Sequence, residues 1–226
     1  MSSFSLVFET STPHASLARI AEHGEIEQRG FHSDRNHNAK LFSPLAELLD
    51  DHSSRAKISI VLVGSGPGSY SGTRVGIAAA QGVAIAMNCP AIAVPSILAV
   101  PSAQGGAPCL AIGDARRGTY WTAMMDSHRL TEEPTLGDAA QLTNIITKAR
   151  SQGIPVISFE ETARFPLPPE LSLHVRLEFP DATRLWQVWL ETDDESRRHW
   201  QSSIPQPIYL KPPHITPGKS RSLLNA

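Results

Sequence analysis

Cysteine is nearly absent. The 226 residues hold two, Cys89 and Cys109, both in apolar surroundings and not spaced as a metal knuckle. That excludes a disulfide scaffold and suits a reducing compartment in which both act as small buried hydrophobes. Long apolar runs are missing too. The most apolar, Val75 to Met87, is broken by Gln81 and is too short to cross a bilayer, so no membrane contact is expected. The opening MSSFSLVFETS lacks the basic stretch and long apolar core of a signal peptide, and a cytoplasmic protein is expected. There is no excess of positive charge. Twenty Lys and Arg face 22 Asp and Glu, a formal charge of −2 that excludes wrapping nucleic acid by bulk electrostatics. The nine histidines form no H-E-x-x-H cluster, His32 and His37 are loosely spaced, and G-x-S-x-G does not occur, so neither a zinc site nor a nucleophile elbow is indicated.

What is present is α/β patterning. Phe4 to Phe8 and Ala15 to Ile20 are short apolar runs, and Ile26 to Phe31 follows the turn-like Glu22-His23-Gly24, which together predict a strand meander. Asn36 is placed to cap a helix with Leu41, Leu45, Leu48 and Leu49 on one face. Ile58 to Val63 is continuous and β-branched, as a strand covered on both faces requires. A helix from Thr73 to Met87 and a strand from Ala91 to Val94 follow. The pattern then restarts. Strands at 109–112 and 119–125 flank a Gly113 to Gly118 hairpin, with a helix at 138–150, a strand at 155–159 and a helix from Asp181 to about His199.

This organisation predicts an α/β protein of two duplicated units, residues 1–103 and a smaller 108–200, split at the Gly- and Pro-rich 101–108 stretch. No residue-level repeat accompanies the duplication. A proline-rich tail over 201–226 is expected to be extended and partly disordered. The acidic run Glu191 to Glu195 reads as a solvated helix face, and Trp186, Trp189 and Trp200 as core or interface anchors.

The stretch GSGPGSYSG at 64–72 joins the 58–63 strand to the helix. Gly64, Gly66 and Gly68 permit a tight turn exposing N–H groups at a helix N-terminus, and Ser69, Ser71 and Thr73 add hydroxyls. Yet no lysine stands between Lys57 and Lys148, so the Walker pattern fails, and Ser69 occupies the third Rossmann glycine position. A plain strand-to-helix turn is at least as good a reading as a phosphate cradle. In the helix, Gly72, Gly76, Ala80 and Ala84 recur every four residues with Ala79 beside them, a smooth stripe that lets another backbone approach closely. Burial within the chain's own fold explains the stripe as readily as a contact with a second subunit.

GSGPGSYSGTRVGIAAAQGVA resembles the signature of the bacterial TsaB (YeaZ) proteins, glycoprotease-like partners in making threonylcarbamoyladenosine in tRNA. Phe8-Glu9-Thr10-Ser11, Ala15-Ser16-Leu17-Ala18, His37, Gly113-Asp114-Ala115-Arg116 and Pro207-Ile208-Tyr209-Leu210 add to the likeness. It is good from Ser5 to about Met125 and poor over 126–200. The resemblance implies two RNase-H-like domains of the actin/sugar-kinase superfamily with mixed sheets, the second smaller and divergent. It implies a non-catalytic subunit that heterodimerises with a larger catalytic paralogue, TsaD, assisted through the complex by a TsaE-like ATPase. Contact with tRNA is then only indirect.

The metal box His-x-x-x-His of that paralogue corresponds here to Ser96-Ile97-Leu98-Ala99-Val100, which offers no ligand. The Asp that ends the first strand in the superfamily is Glu9 here. No metal and no cofactor are therefore expected. Glu9, Gly64, Gly66, Gly68, Ser69 and Asp114 make a vestigial phosphate site. Gly72, Val75, Gly76, Ala79, Ala80, Val83 and Ala84, with His37, make the partner interface, through which the isolated protein is expected to homodimerise. The alternative is a nucleotide-dependent phosphotransferase or ATPase using Glu9, the 64–69 loop and Asp114.

Overall fold

The computed structural model of the chain describes residues 3–33, 37–49 and 57–210. Strands β1 (Ser3–Glu9), β2 (His14–Ala21) and β3 (Ile26–His32) pair antiparallel, as their short connections allow. β4 (Lys57–Gly64) and β5 (Ala91–Val94) join parallel on the far side of β1, giving the order β3-β2-β1-β4-β5. Parallel pairing needs crossovers, and α1 (His37–Leu49) and α2 (Tyr70–Met87) supply them.

The second half repeats this plan. β6 (Cys109–Asp114) stands where β1 stood, β7 (Tyr120–Asp126) pairs antiparallel with it, and β10 (Val156–Ser158) and β11 (Val175–Leu177) add parallel on the other side. Two short strands, β8 (Arg129–Leu130) and β9 (Thr135–Gly137), share the place of β3 by both pairing with β7. α3 (Ala139–Ser151) and the single turn α4 (Pro169–Ser172) are the crossovers. Two mixed sheets of one topology, the second with outer strands of two or three residues, are the pair of RNase-H-like domains the resemblance implies.

Period-two alternation assigns each strand's side chains to two cores. From β1 and β4, Phe4, Leu6, Phe8, Val61 and Val63 pack with Leu41, Leu45 and Leu48 of α1 and with Ile77, Ala80 and Ala84 of α2. The opposite face sends Val7 and Leu62 into a central cluster that also receives Ala111, Trp121, Ala123 and Ile157 from the second sheet. Wedged into that cluster is α5 (Ala182–Glu191), through Ala182, Leu185, Val188 and Trp189, lying against β1, β2 and β4. Leu110, Ile112 and Val156 face outward onto Leu142 and Ile146 of α3. The layers thus run α1/α2, first sheet, α5, second sheet, α3/α4.

Several expectations are corrected. The helix expected over 181–199 is two, α5 and α6 (Asp194–Ser202), because Thr192 is extended and the Asp193 carboxylate caps α6 by accepting from the Ser196 amide at 2.8 Å. That hydrogen bond holds the Asp193 pKa below the usual range. Glu191 to Glu195 is accordingly a helix break rather than one solvated face. Leu49 is exposed while Leu41, Leu45 and Leu48 are buried. The 101–108 stretch includes 3-10 turns spanning Pro101–Gly106, and β8, β9, α4 and β11 have no counterpart among the elements expected from the residues. Trp189 is buried, and Trp186 and Trp200 pack half-buried on the central cluster. Cys89 and Cys109 are free, and burial pushes the Cys109 thiol up to about 12. Asn36 and the side chain of His37, at the start of α1, lie outside the described residues, as do Pro212, Pro213 and Pro217.

Candidate functional site

The 64–69 loop leaves the carboxyl end of β4 and delivers the chain into α2, whose first turn is capped by the Ser69 hydroxyl accepting from the Gly72 amide at 3.2 Å. Its amides serve the chain itself. The Ser65 amide donates to the Val94 carbonyl at 2.8 Å, the Gly66 amide to Ser96 Oγ at 2.9 Å and the Ser69 amide to the Ser11 carbonyl at 2.6 Å. A Cβ added at Gly68 would land on that Ser11 carbonyl, and one added at Gly64 on the Glu9 carboxyl and the Ser96 hydroxyl. Both glycines are therefore demanded by close approach of the protein's own groups.

Glu9 ends β1 directly beneath this loop and is wholly buried. Its Oε1 accepts from the Ser11 amide at 2.7 Å, while Oε2 has no hydrogen-bond partner. Burial raises the Glu9 pKa against the opposing pull of the Ser11 hydrogen bond. This setting favours the protonated form of the carboxyl. Asp114 occupies the matching end of β6, but it pairs with the Arg116 amide at 2.7 Å and the Arg116 guanidinium at 3.1 Å. The structure thus brings Glu9, Gly64, Gly66, Gly68 and Ser69 together, and gives Asp114 a separate set of partners.

The α2 stripe faces inward. Gly72, Gly76, Ala80 and Ala84 are buried in the monomer, and a Cβ at Gly76 would meet Thr10 Oγ1, which donates to the Gly72 carbonyl at 2.8 Å. The backbone admitted by these small residues is that of the chain's own sheet, so the four are not outward partner contacts. Val75, Ala79 and Val83 lie half-buried on the flank. The solvent side carries Tyr70 at 76 % exposure, Ile85 at 82 % and Met87 at 46 %, and the adjoining α1 presents Phe42 at 60 %. Sequence reasoning missed these. The signal was there in part: Phe42 falls off the leucine face of α1, and Ile85 follows the last alanine of the stripe.

The described part of the tail is extended, as expected, but it is not loose. The Ile208 amide donates to the Ser65 carbonyl at 2.9 Å, and Gln81 Nε2 to the Pro205 carbonyl at 3.4 Å. The Arg74 guanidinium lies 3.4 Å from the Tyr70 ring centre and 5.2 Å from that of Tyr209, a cation–π sandwich that ties the tail to α2. Leu210 packs on the central cluster. Pro207-Ile208-Tyr209-Leu210 is thereby a strap laid over the loop.

Residues 25–179 match the family model described as TsaD, tRNA N6-adenosine threonylcarbamoyltransferase. The Bacillus subtilis tRNA threonylcarbamoyladenosine biosynthesis protein TsaB is 26 % identical over 156 residues, 67 % of this chain and 68 % of the relative. Its Escherichia coli counterpart is 30 % identical over 122 residues, 51 % of this chain and 52 % of the relative. The matched segments thus span from two thirds to one half of these relatives' lengths. Among solved structures, YeaZ from Pseudomonas aeruginosa superposes with a TM-score of 0.61 at 21 % identity, covering 92 % of this chain and all of that one. A second Pseudomonas aeruginosa structure, an uncharacterized protein with similarity to peptidase YEAZ, gives a TM-score of 0.65 at the same identity.

Proposed function

The chain belongs to the TsaD family of tRNA N6-adenosine threonylcarbamoyltransferases, within its TsaB/YeaZ branch, and on that membership we propose that it is a non-catalytic subunit in the making of threonylcarbamoyladenosine in tRNA. The observation that carries this reading is a loop closed on the chain's own groups. Glu9 and the Ser11 carbonyl press against Gly64 and Gly68, the Ser65, Gly66 and Ser69 amides are taken up by the chain's own acceptors, and Ser96-Ile97-Leu98-Ala99 is a buried 3-10 turn without a metal ligand. This speaks against the phosphotransferase or ATPase alternative.

The subunit acts by docking on the catalytic paralogue, with a TsaE-like ATPase joining through the complex. The docking face is the solvent side of α1 and α2, with Phe42, Tyr70, Ile85 and Met87 as anchors and Val75, Ala79 and Val83 at the margin. Exposed apolar side chains of this size on neighbouring helices mark association sites. The same face closes a homodimer when the paralogue is absent, since a two-fold contact is self-complementary. No helix among the described residues is long and apolar enough to cross a membrane, and we place the protein in the cytoplasm with its tRNA substrate.

The test is light scattering and co-purification with the paralogous transferase from the same cell, for Ile85→Glu and Phe42→Glu. Both variants should melt like the parent yet run as monomers and fail to retain the transferase. A dimer that survives both changes would remove this face from consideration.

A further inference from the structure

Docking through α1 and α2 leaves the Pro207-Ile208-Tyr209-Leu210 strap without a role. Its attachment has two parts. Leu210 packs on the central cluster and the Ile208 amide bonds the Ser65 carbonyl at 2.9 Å, which ties the segment to the body of the protein. Tyr209, between them in the chain, is 56 % exposed, and its ring centre lies 5.2 Å from the Arg74 guanidinium. An exposed cation–π contact adds little to stability, and Leu210 and Ile208 already account for the attachment.

Arg74 in turn holds Tyr70. Its guanidinium lies 3.4 Å from the Tyr70 ring centre, and its Nη1 donates to the Tyr70 carbonyl at 2.8 Å. Among the described residues Arg74 meets no carboxylate, so the two rings and that carbonyl set its place. Tyr70 is the first residue of α2 and largely exposed, a ring that would be free to change rotamer without a neighbour stacked on it.

The strap follows one stripe of α2. Tyr70, Arg74, Gln81 and Ile85 fall within about 60° of one another around the helix. Gln81 holds the strap at the Pro205 carbonyl and Arg74 holds it at Tyr209. From Arg74 to Gln81 the helix advances roughly 10 Å, and from Pro205 to Tyr209 an extended chain advances roughly 12 Å, so the two run side by side in opposite directions. The other two members of the stripe, Tyr70 and Ile85, are anchors of the docking face. The strap therefore borders that face.

We propose that Tyr209 is a positioning residue for the docking face: through Arg74 it fixes the Tyr70 ring in the pose that the catalytic paralogue receives. The inference rests on docking through α1 and α2. A side chain ordered before association spares the complex the entropy of ordering it, so the strap raises affinity without itself touching the partner.

The experiment is calorimetric titration of the paralogous transferase with the full chain as parent, Tyr209→Ala, Tyr209→Phe, Tyr70→Ala and Tyr70→Ala/Tyr209→Ala, with melting curves for each. Tyr209→Ala should melt near the parent and weaken binding roughly fivefold to tenfold, the cost of ordering one ring at the interface. Tyr209→Phe keeps a ring beside the cation and should bind within about twofold of the parent. Tyr70→Ala removes the ring that Tyr209 serves, so in that background Tyr209→Ala should change affinity by less than about twofold. Equal losses in both backgrounds would make Tyr209 a direct contact and overturn the positioning role. Unchanged affinity of Tyr209→Ala, while Ile85→Glu abolishes binding, also overturns it and leaves the docking face standing. If Ile85→Glu binds as the parent does, the docking face fails and this inference falls with it. Should Tyr209→Ala melt early, Arg74→Gln breaks the same link from within α2 and should show the same dependence on Tyr70. An equal loss from Arg74→Gln with and without the Tyr70 ring overturns the proposal as well.

Discussion

The Glu9 carboxyl has one oxygen bonded to the Ser11 amide and one with no partner, and burial raises its pKa. In the unfolded chain the acid ionises above its ordinary value of 4.5, while in the folded chain it keeps its proton to higher pH. The unfolded state therefore binds fewer protons than the folded one in that window, and stability falls as pH rises from 4.5 toward the raised folded value. The loss is up to about 1.4 kcal/mol per pH unit. Glu9→Gln removes the titrating group at nearly constant volume. Its melting temperature should approach that of the parent at pH 4 and exceed it at pH 8. A difference that stays flat across the series would mean the carboxylate is charged and paired. Gly64 packs against the same carboxyl. Gly64→Ala forces a Cβ into it and should cost about 1–3 kcal/mol. Glu9→Ala makes that room, so the double variant should be more stable than the sum of the two single effects predicts. Additive effects would place the clash elsewhere.

At the scale of elements, α2 has a thin side and a wide side. The small residues press the helix onto β1 and β4, and the large ones point to solvent. Two substitutions five residues apart should consequently behave in opposite ways. Ala80 is fully buried, so Ala80→Leu overpacks the core and should lower stability by about 1–3 kcal/mol without altering the assembly state. Ile85→Glu should alter assembly and leave the melting temperature near that of the parent. Differential scanning fluorimetry beside light scattering reads both. A stable monomer from Ala80→Leu would restore the stripe as an intersubunit surface.

The whole molecule is held by α5, which reaches the first sheet from a position more than 80 residues beyond β5. It packs on the face of the first sheet that carries Val7 and Leu62, together with Ala111, Trp121 and Ile157 of the second sheet. The 1–103 and 108–200 units are accordingly proposed as divisions of architecture, with folding shared between them. A fragment ending at Gly106 should bind a hydrophobic dye and melt without a sharp transition, while the full chain unfolds in one step. Two separate transitions in calorimetry of the full chain would indicate units that fold alone.

Much of this was legible in the residues. Strands β1, β2 and β4 announce themselves by apolar runs, because a strand's two faces impose period two or a fully apolar run on the sequence itself, while the largely polar β3 is marked by the turn before it. The capping of α3 by Asp138, which accepts from the Gln141 amide at 2.9 Å, is equally local. The missing Walker lysine and the replacement of a metal box by Ser96 to Val100 are facts of residue type that no folding alters. Strands of two or three residues such as β8 and β11 escaped, since so short a segment has no period, and the break at Thr192 was hidden by a charge pattern that suits either a helix face or a cap. Tertiary structure alone decided which backbone the stripe from Gly72 to Ala84 would admit. Small side chains permit close approach without specifying what approaches, and here it is the chain just past β1, with Thr10 set into the gap at Gly76. It also decided that the loop would close on the chain's own groups, because Glu9, Ser11 and Ser96 are brought to it from separate stretches of chain whose meeting no local pattern records.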